Sequence, residues 1–187
     1  MRRPLDAYPT EKRVTLALLE RVPICGLVLE PCAGAGQMAE VLAGQGMCTV
    51  LQNDIDPAYA RGGWGWYGED ATDPQARIWQ MRPSWVVTNP PYNQAMPILR
   101  HAFDAARVGV AFLLRLSFLE PTRERAEWLE AHADHLAHLF IFGSPRPSFT
   151  GNGRTDSATV AWMVWRRDWQ EGTNVQFVTD RQEEQTE

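Results

Sequence analysis

The chain has 187 residues, of which 44% are hydrophobic and 22% charged, a composition that suits one globular domain with a real core. Its net charge is −5 and its isoelectric point is near 5.4, which excludes a simple electrostatic nucleic-acid binder; any such role needs a local basic patch. Cys25, Cys32 and Cys48 have neither metal-type spacing nor an even count, the first residues lack an apolar signal core, and no run approaches membrane-spanning length, so a soluble cytoplasmic protein with no membrane partner is expected.

The apolar spacing over residues 11–21 predicts a first helix, with Thr10 as its N-cap. Residues 26–29 read as a short buried strand, followed by a glycine-bearing turn and a helix over 37–45. A second strand is expected over 48–51, then a glycine-rich loop over 62–68. Residues 85–88 form a third strand, 93–106 a helix, and 108–116 a long apolar strand. An amphipathic helix is expected over 122–135. The last two strands fall at 138–142 and 158–165, around a loop of Gly, Pro, Ser and Asn. Residues 1–170 are read as a single domain and 171–187 as a polar tail, with 182–187 disordered. Strands alternating with helices predict an α/β fold with a mostly parallel sheet and helices on both faces, and the two late strands predict an antiparallel hairpin at one edge.

Two loops carry the chemistry. Glu30-Pro31-Cys32-Ala33-Gly34-Ala35-Gly36 joins the first strand to the second helix. Gly34 and Gly36 permit a tight turn and close approach of backbone to ligand. Asp54 follows the next strand, 20 residues after Gly34, where an acid accepts the hydroxyls of a ribose. The third glycine of a dinucleotide fingerprint is missing, and Glu30 would repel a pyrophosphate. A carboxylate there suits a cationic ligand, such as an amino-acid ammonium group, and points away from NAD and toward S-adenosylmethionine. The other loop is Thr88-Asn89-Pro90-Pro91-Tyr92, where a buried strand ends in an amide, two prolines and an aromatic ring. Proline neither continues a helix nor pairs inside a sheet, so these side chains are held in a fixed loop.

Together these segments resemble the class I S-adenosylmethionine-dependent methyltransferases, specifically the amino-group adenine enzymes, and in overall size the small Dam-like enzymes of phages and prophages. The likeness covers roughly residues 6–166. It implies a Rossmann-like fold and a cofactor site of Tyr8, Thr10, Glu30, Pro31, Gly34, Gly36, Asp54, Ile55, Asp70, Ala71 and Asn89. It implies a catalytic loop of Asn89, Pro90, Pro91 and Tyr92. In that loop the Asn89 side-chain oxygen and the Pro90 carbonyl would accept from the two N–H bonds of a base amine, and Tyr92 would stack on the base. Phe149 would stack on the other face of a flipped base. Arg115, Arg146 and Arg154 are the candidate phosphate contacts. Arg123 and Arg125 share a segment with Glu120, Glu124, Glu127 and Glu130, which reads as a solvated helix face. No metal is implied; His132, His135 and His138 lack the accompanying ligand pattern. Trp64, Trp66 and Tyr67 are expected to pack against the sheet edge.

The substrate implied is adenine N6 in DNA. The same loop serves RNA adenine and protein glutamine amines, and a catalytically silent binding partner is the reading from a different class. At this length no separate target-recognition domain is expected within these residues.

Overall fold

The computed structural model describes residues 9–60, 65–120, 122–144, 146–147 and 158–179. Seven strands form one sheet in the order β2-β1-β3-β4-β6-β5-β7. They are β1 (Gly26–Glu30), β2 (Cys48–Gln52), β3 (Trp85–Thr88), β4 (Gly109–Arg115), β5 (Leu136–Phe142), β6 (Val160–Arg166) and β7 (Asn174–Val178). Strands β2, β1, β3 and β4 run parallel. β6 inserts antiparallel between β4 and β5.

The parallel strands are apolar on both sides because helices cover both faces. On β4, Val110, Phe112 and Leu114 enter one core and Ala111 and Leu113 enter the other. The first core packs against α3 (Arg77–Gln80) and α4 (Ala95–Ala105); Trp128 and Leu129 of α5 (Arg123–Ala131) lie at its margin. The second packs against α1 (Lys12–Leu19) and α2 (Gln37–Gly44). One buried polar contact locks α1 onto the sheet: Trp162 Nε1 of β6 donates to the Val14 carbonyl at 2.8 Å. That contact also fixes where the chain just before α1 runs.

The expected architecture is present, with three corrections. Thr10 is not the N-cap of α1. Glu11 occupies that position, and the Thr10 hydroxyl is engaged elsewhere. The four-residue helix α3 was not expected, because so short a segment shows little periodicity. Within the residues read as a polar tail, Asn174–Val178 forms β7, parallel to β5, so the folded region continues past residue 170. Val175 and Phe177 alternate with Asn174 and Gln176 as in a strand, but the run is short, sits inside a polar stretch, and leaves both apolar side chains exposed; only Val178 of that strand is buried. Residues 182–187 lie outside the described residues. No described helix is long and apolar enough to cross a membrane.

Replacing Trp162 by Phe removes the indole N–H that ties β6 to α1 and leaves a small void where the larger ring was. The variant should lose about 1–3 kcal/mol in chemical denaturation, from one lost buried hydrogen bond and the lost packing.

Candidate active site

Parallel α/β sheets place ligands at the carboxyl ends of the strands, where neighbouring connections leave in opposite directions. Here that point lies between β1 and β3, since β2 lies beyond β1 on one side and β4 beyond β3 on the other. A cleft of about 200 Å³ opens there. Its walls come from Pro9 and Thr10, from the loop after β1, from Asp54 and Ile55 after β2, from Asp70–Thr72, and from Asn89, Pro91 and Gln94 after β3.

The turn after β1 is held by the Asp54 side chain, two residues past the end of β2. Gly34 N–H donates to Asp54 Oδ2 at 2.8 Å, and Asp56 N–H donates to Asp54 Oδ1 at 3.0 Å. Gly34 has φ +52°, and an added Cβ would meet no heavy atom within 4 Å, so the glycine keeps that part of the cleft open. Gly36 has φ +85° at the N-cap of α2, and an added Cβ would fall 2.8 Å from Gln52 Oε1. It shapes the turn from behind and does not line the cleft.

Asn53 ties the loops together. It is fully buried. Its Nδ2 donates to the Pro31 carbonyl at 2.9 Å and to the Glu69 carbonyl at 3.0 Å, while its Oδ1 accepts from Glu69 N–H at 3.3 Å. Beyond it, Asp70 Oδ1 accepts from both the N–H and the hydroxyl of Thr72, which holds Asp70 at the cleft rim. Sequence reasoning passed over Asn53 because its three contacts are 16 and 22 residues away.

Glu30 is 2% exposed and faces the cleft, and its Oε2 has no hydrogen-bond partner. Burial pushes its carboxyl well above the usual carboxylate range, against a hydrogen bond from the Ala39 backbone and with the charge of Asp54 adding to the rise. Burial also raises Asp54, opposed by the Asp56 and Gly34 N–H groups. The Cys32 thiol, another group in the cleft wall, is pushed far up by burial and by Asp54, which disfavours its thiolate.

On the opposite wall, Asn89 is half-buried, and its Nδ2 donates to the Thr10 hydroxyl at 3.1 Å across 79 residues of sequence. Gln94 N–H takes the Pro91 carbonyl at 2.9 Å; among the described backbone hydrogen bonds of loops and caps, none takes that of Pro90. Tyr92 does not line the cleft. Its ring packs against the core, and the Arg115 guanidinium carbon sits 4.9 Å from its centroid.

The cleft thus gathers Thr10, Glu30, Pro31, Gly34, Asp54, Ile55, Asp70, Ala71, Asn89 and Pro91 of the expected set. Pro90 is buried beside it. Tyr8, Phe149 and Arg154, with Trp64, lie outside the described residues. Arg146 is half-buried on the segment after β5. Arg123 pairs with Glu127 one turn on, and Arg125 donates to the Glu120 carbonyl, so both serve their own helix and its entry. Trp66 packs on the first core beneath Arg77, and Tyr67 donates to Gln52 at the edge of β2. His132 stacks on Trp128, and His135 contacts the Arg166 carbonyl. Among the described residues no group of three metal-ligating side chains is placed to hold an ion.

No family model and no curated protein matches the sequence. Solved structures match at low identity. A provisionally named RNA methyltransferase of Pyrococcus horikoshii shares 16% identity at a TM-score of 0.60, over 88% of this chain and 89% of that one. The methyltransferase subunit of a type I restriction-modification system of Streptococcus thermophilus shares 12% at 0.61, over 92% and 47%. The M protein of the type I restriction enzyme EcoKI shares 13% at 0.59, over 90% and 47%. The fold is the class I methyltransferase fold. The chain spans about half the length of those type I subunits.

Two outcomes follow from this geometry. Asn53→Ala should cost about 2–4 kcal/mol in denaturant unfolding, because it strands two carbonyls and one N–H. Glu30 carries a raised carboxyl in the folded state, so its contribution to stability is complete below the unfolded value of 4.5 and is lost as pH rises through the folded value. Melting curves of Glu30→Gln should therefore gain on wild type as pH climbs above 4.5. Parallel pH profiles for the two proteins would remove Glu30 as the strained group.

Proposed function

We propose that this chain is an S-adenosylmethionine-dependent methyltransferase acting on the N6 amine of adenine in DNA. The observation that carries the reading is the placement of Asn89, followed by two prolines, in the wall of the same cleft as Glu30, Gly34 and Asp54. A ligand-holding half and an amine-accepting half share one cavity.

The residues fit that cofactor. Glu30 offers a buried carboxyl with an orphaned oxygen to the amino-acid ammonium group. Asp54 retains lone pairs for ribose hydroxyls beyond the two backbone donors it already serves. Asp70 and Ala71 stand at the rim, where the resemblance puts the adenine. When bound, the cofactor supplies an electrophilic methyl group on a sulfonium.

The adenine amine is a weak nucleophile because its lone pair is delocalised into the ring. Asn89 Oδ1 and the Pro90 carbonyl accept from its two N–H bonds, hold the nitrogen nearer to tetrahedral and expose the lone pair. Methyl transfer to N6 would form the new nitrogen–carbon bond as the sulfonium's sulfur–carbon bond, with its electron pair, is given up. Positive charge grows on N6, and the two acceptors stabilise it. The extra N6 proton then leaves to water. Pro90 and Pro91 fix the geometry in advance. A duplex base reaches this pocket only by leaving the stack. For that base to stack on Tyr92, Arg115 moves off the ring, where it becomes available to a phosphate.

The Asn-Pro-Pro-Tyr loop fits a planar amine, and DNA is favoured by the likeness to type I restriction-modification methyltransferase subunits. RNA adenine is the second reading. It is supported by the likeness, along nearly the full length of both chains, to a protein named for RNA methylation.

Asn89→Ala should leave cofactor affinity nearly intact and cut the single-turnover rate on the order of 100- to 1,000-fold, the loss expected for one preorganised contact to a developing charge. Asp54→Ala should weaken cofactor binding by about 1.5–3 kcal/mol and recover much of the rate at saturation. Calorimetry and rapid-quench assays separate the two. Full rate in Asn89→Ala, or normal cofactor binding in Asp54→Ala, would show that the roles are wrongly assigned.

A further inference from the structure

We propose that Thr10 is a positioning residue that couples cofactor binding to the orientation of the Asn89 amide; this rests on the methyltransferase reading above. A side-chain amide has two orientations of similar shape and opposite chemistry. With Oδ1 toward the substrate, Asn89 accepts from the amine. With Nδ2 toward it, two donors face each other and the site is silent. Something must select between them.

Thr10 is the neighbour placed to do so. It is 7% exposed, it lines the cleft, and its hydroxyl oxygen lies 3.1 Å from Asn89 Nδ2. Its position is rigid, because α1 begins two residues later and is locked to the sheet through Trp162 and Val14. A hydroxyl has one proton and two lone pairs, so alone it serves either amide orientation. Once an acceptor-only group takes that proton, the oxygen can only accept, and Asn89 must turn Nδ2 toward it. The carboxylate of the cofactor's amino-acid end is such a group. Thr10 lines the same cleft as Glu30, the side chain suited to the ammonium of that end. Cofactor, Thr10 and Asn89 then form one directional chain of hydrogen bonds, and the acceptor face of Asn89 is set before the base arrives.

The readout is hydrogen exchange of the Asn89 side-chain amide by nitrogen-15 NMR in the full chain, its signals identified through Asn89→Asp. Saturating S-adenosylhomocysteine should slow that exchange roughly fivefold in wild type and in Thr10→Ser, and not in Thr10→Val. Methylthioadenosine, which lacks the amino-acid end, should leave exchange unchanged in all three. Single-turnover rates at saturating cofactor should fall about tenfold or more in Thr10→Val and return in Thr10→Ser. Calorimetry on the same samples separates the failures. If S-adenosylhomocysteine does not bind, the cofactor reading falls and the coupling with it. If it binds and Asn89 exchanges alike in wild type and Thr10→Val, the coupling alone is overturned.

Discussion

The site depends on one buried side chain, Asn53. Its backbone N–H donates to the Glu30 carbonyl and its carbonyl accepts from Ala33 N–H, while its amide spans Pro31 and Glu69. Five hydrogen bonds from one residue therefore join the ends of β1 and β2 to the segment that carries Asp70. An amide is the side chain for this task because it offers donors and an acceptor at once, and in a dry interior each must be satisfied. The next residue, Asp54, then stands where it can hold Gly34, and the turn after β1 takes its shape from the residues just past β2 rather than from its own sequence.

This framework tolerates an unfavourable centre. Glu30, Asp54 and Asp70 converge on one cleft, and the most buried of them keeps an unpartnered oxygen. A buried carboxyl without a partner costs free energy, and proteins keep such groups chiefly where a ligand completes them. A cationic ligand would relieve it. The other wall is polar without charge: an amide, a hydroxyl and the carbonyl beside a proline. That division suits a reaction in which positive charge passes from one side of the cleft to the other.

Much of this was legible in the sequence where the signal is local. The strands β1, β3 and β4 are unbroken apolar runs, and the two loops after β1 and β3 announce themselves by glycine and proline. What could not be read was long-range. Thr10 looks like a helix cap, since Ser, Thr, Asp and Asn before an apolar run usually are; only the fold brings Asn89 against it. Tyr92 looks like a stacking ring, yet Arg115 from the end of β4 covers it. Asn53 was overshadowed by its acidic neighbour. Cleft residues such as Gln94 and Met38 carry no signature, because lining a cavity demands only a position and a size.

The central claim is that this cleft delivers a methyl group to an exocyclic adenine amine. The most direct measurement is transfer of tritiated methyl from S-adenosylmethionine to DNA, RNA and protein in parallel, followed by digestion and identification of the labelled product. The account predicts label in DNA as N6-methyladenine. Label on none of the three substrates, or only on an atom other than the adenine amine, would contradict it.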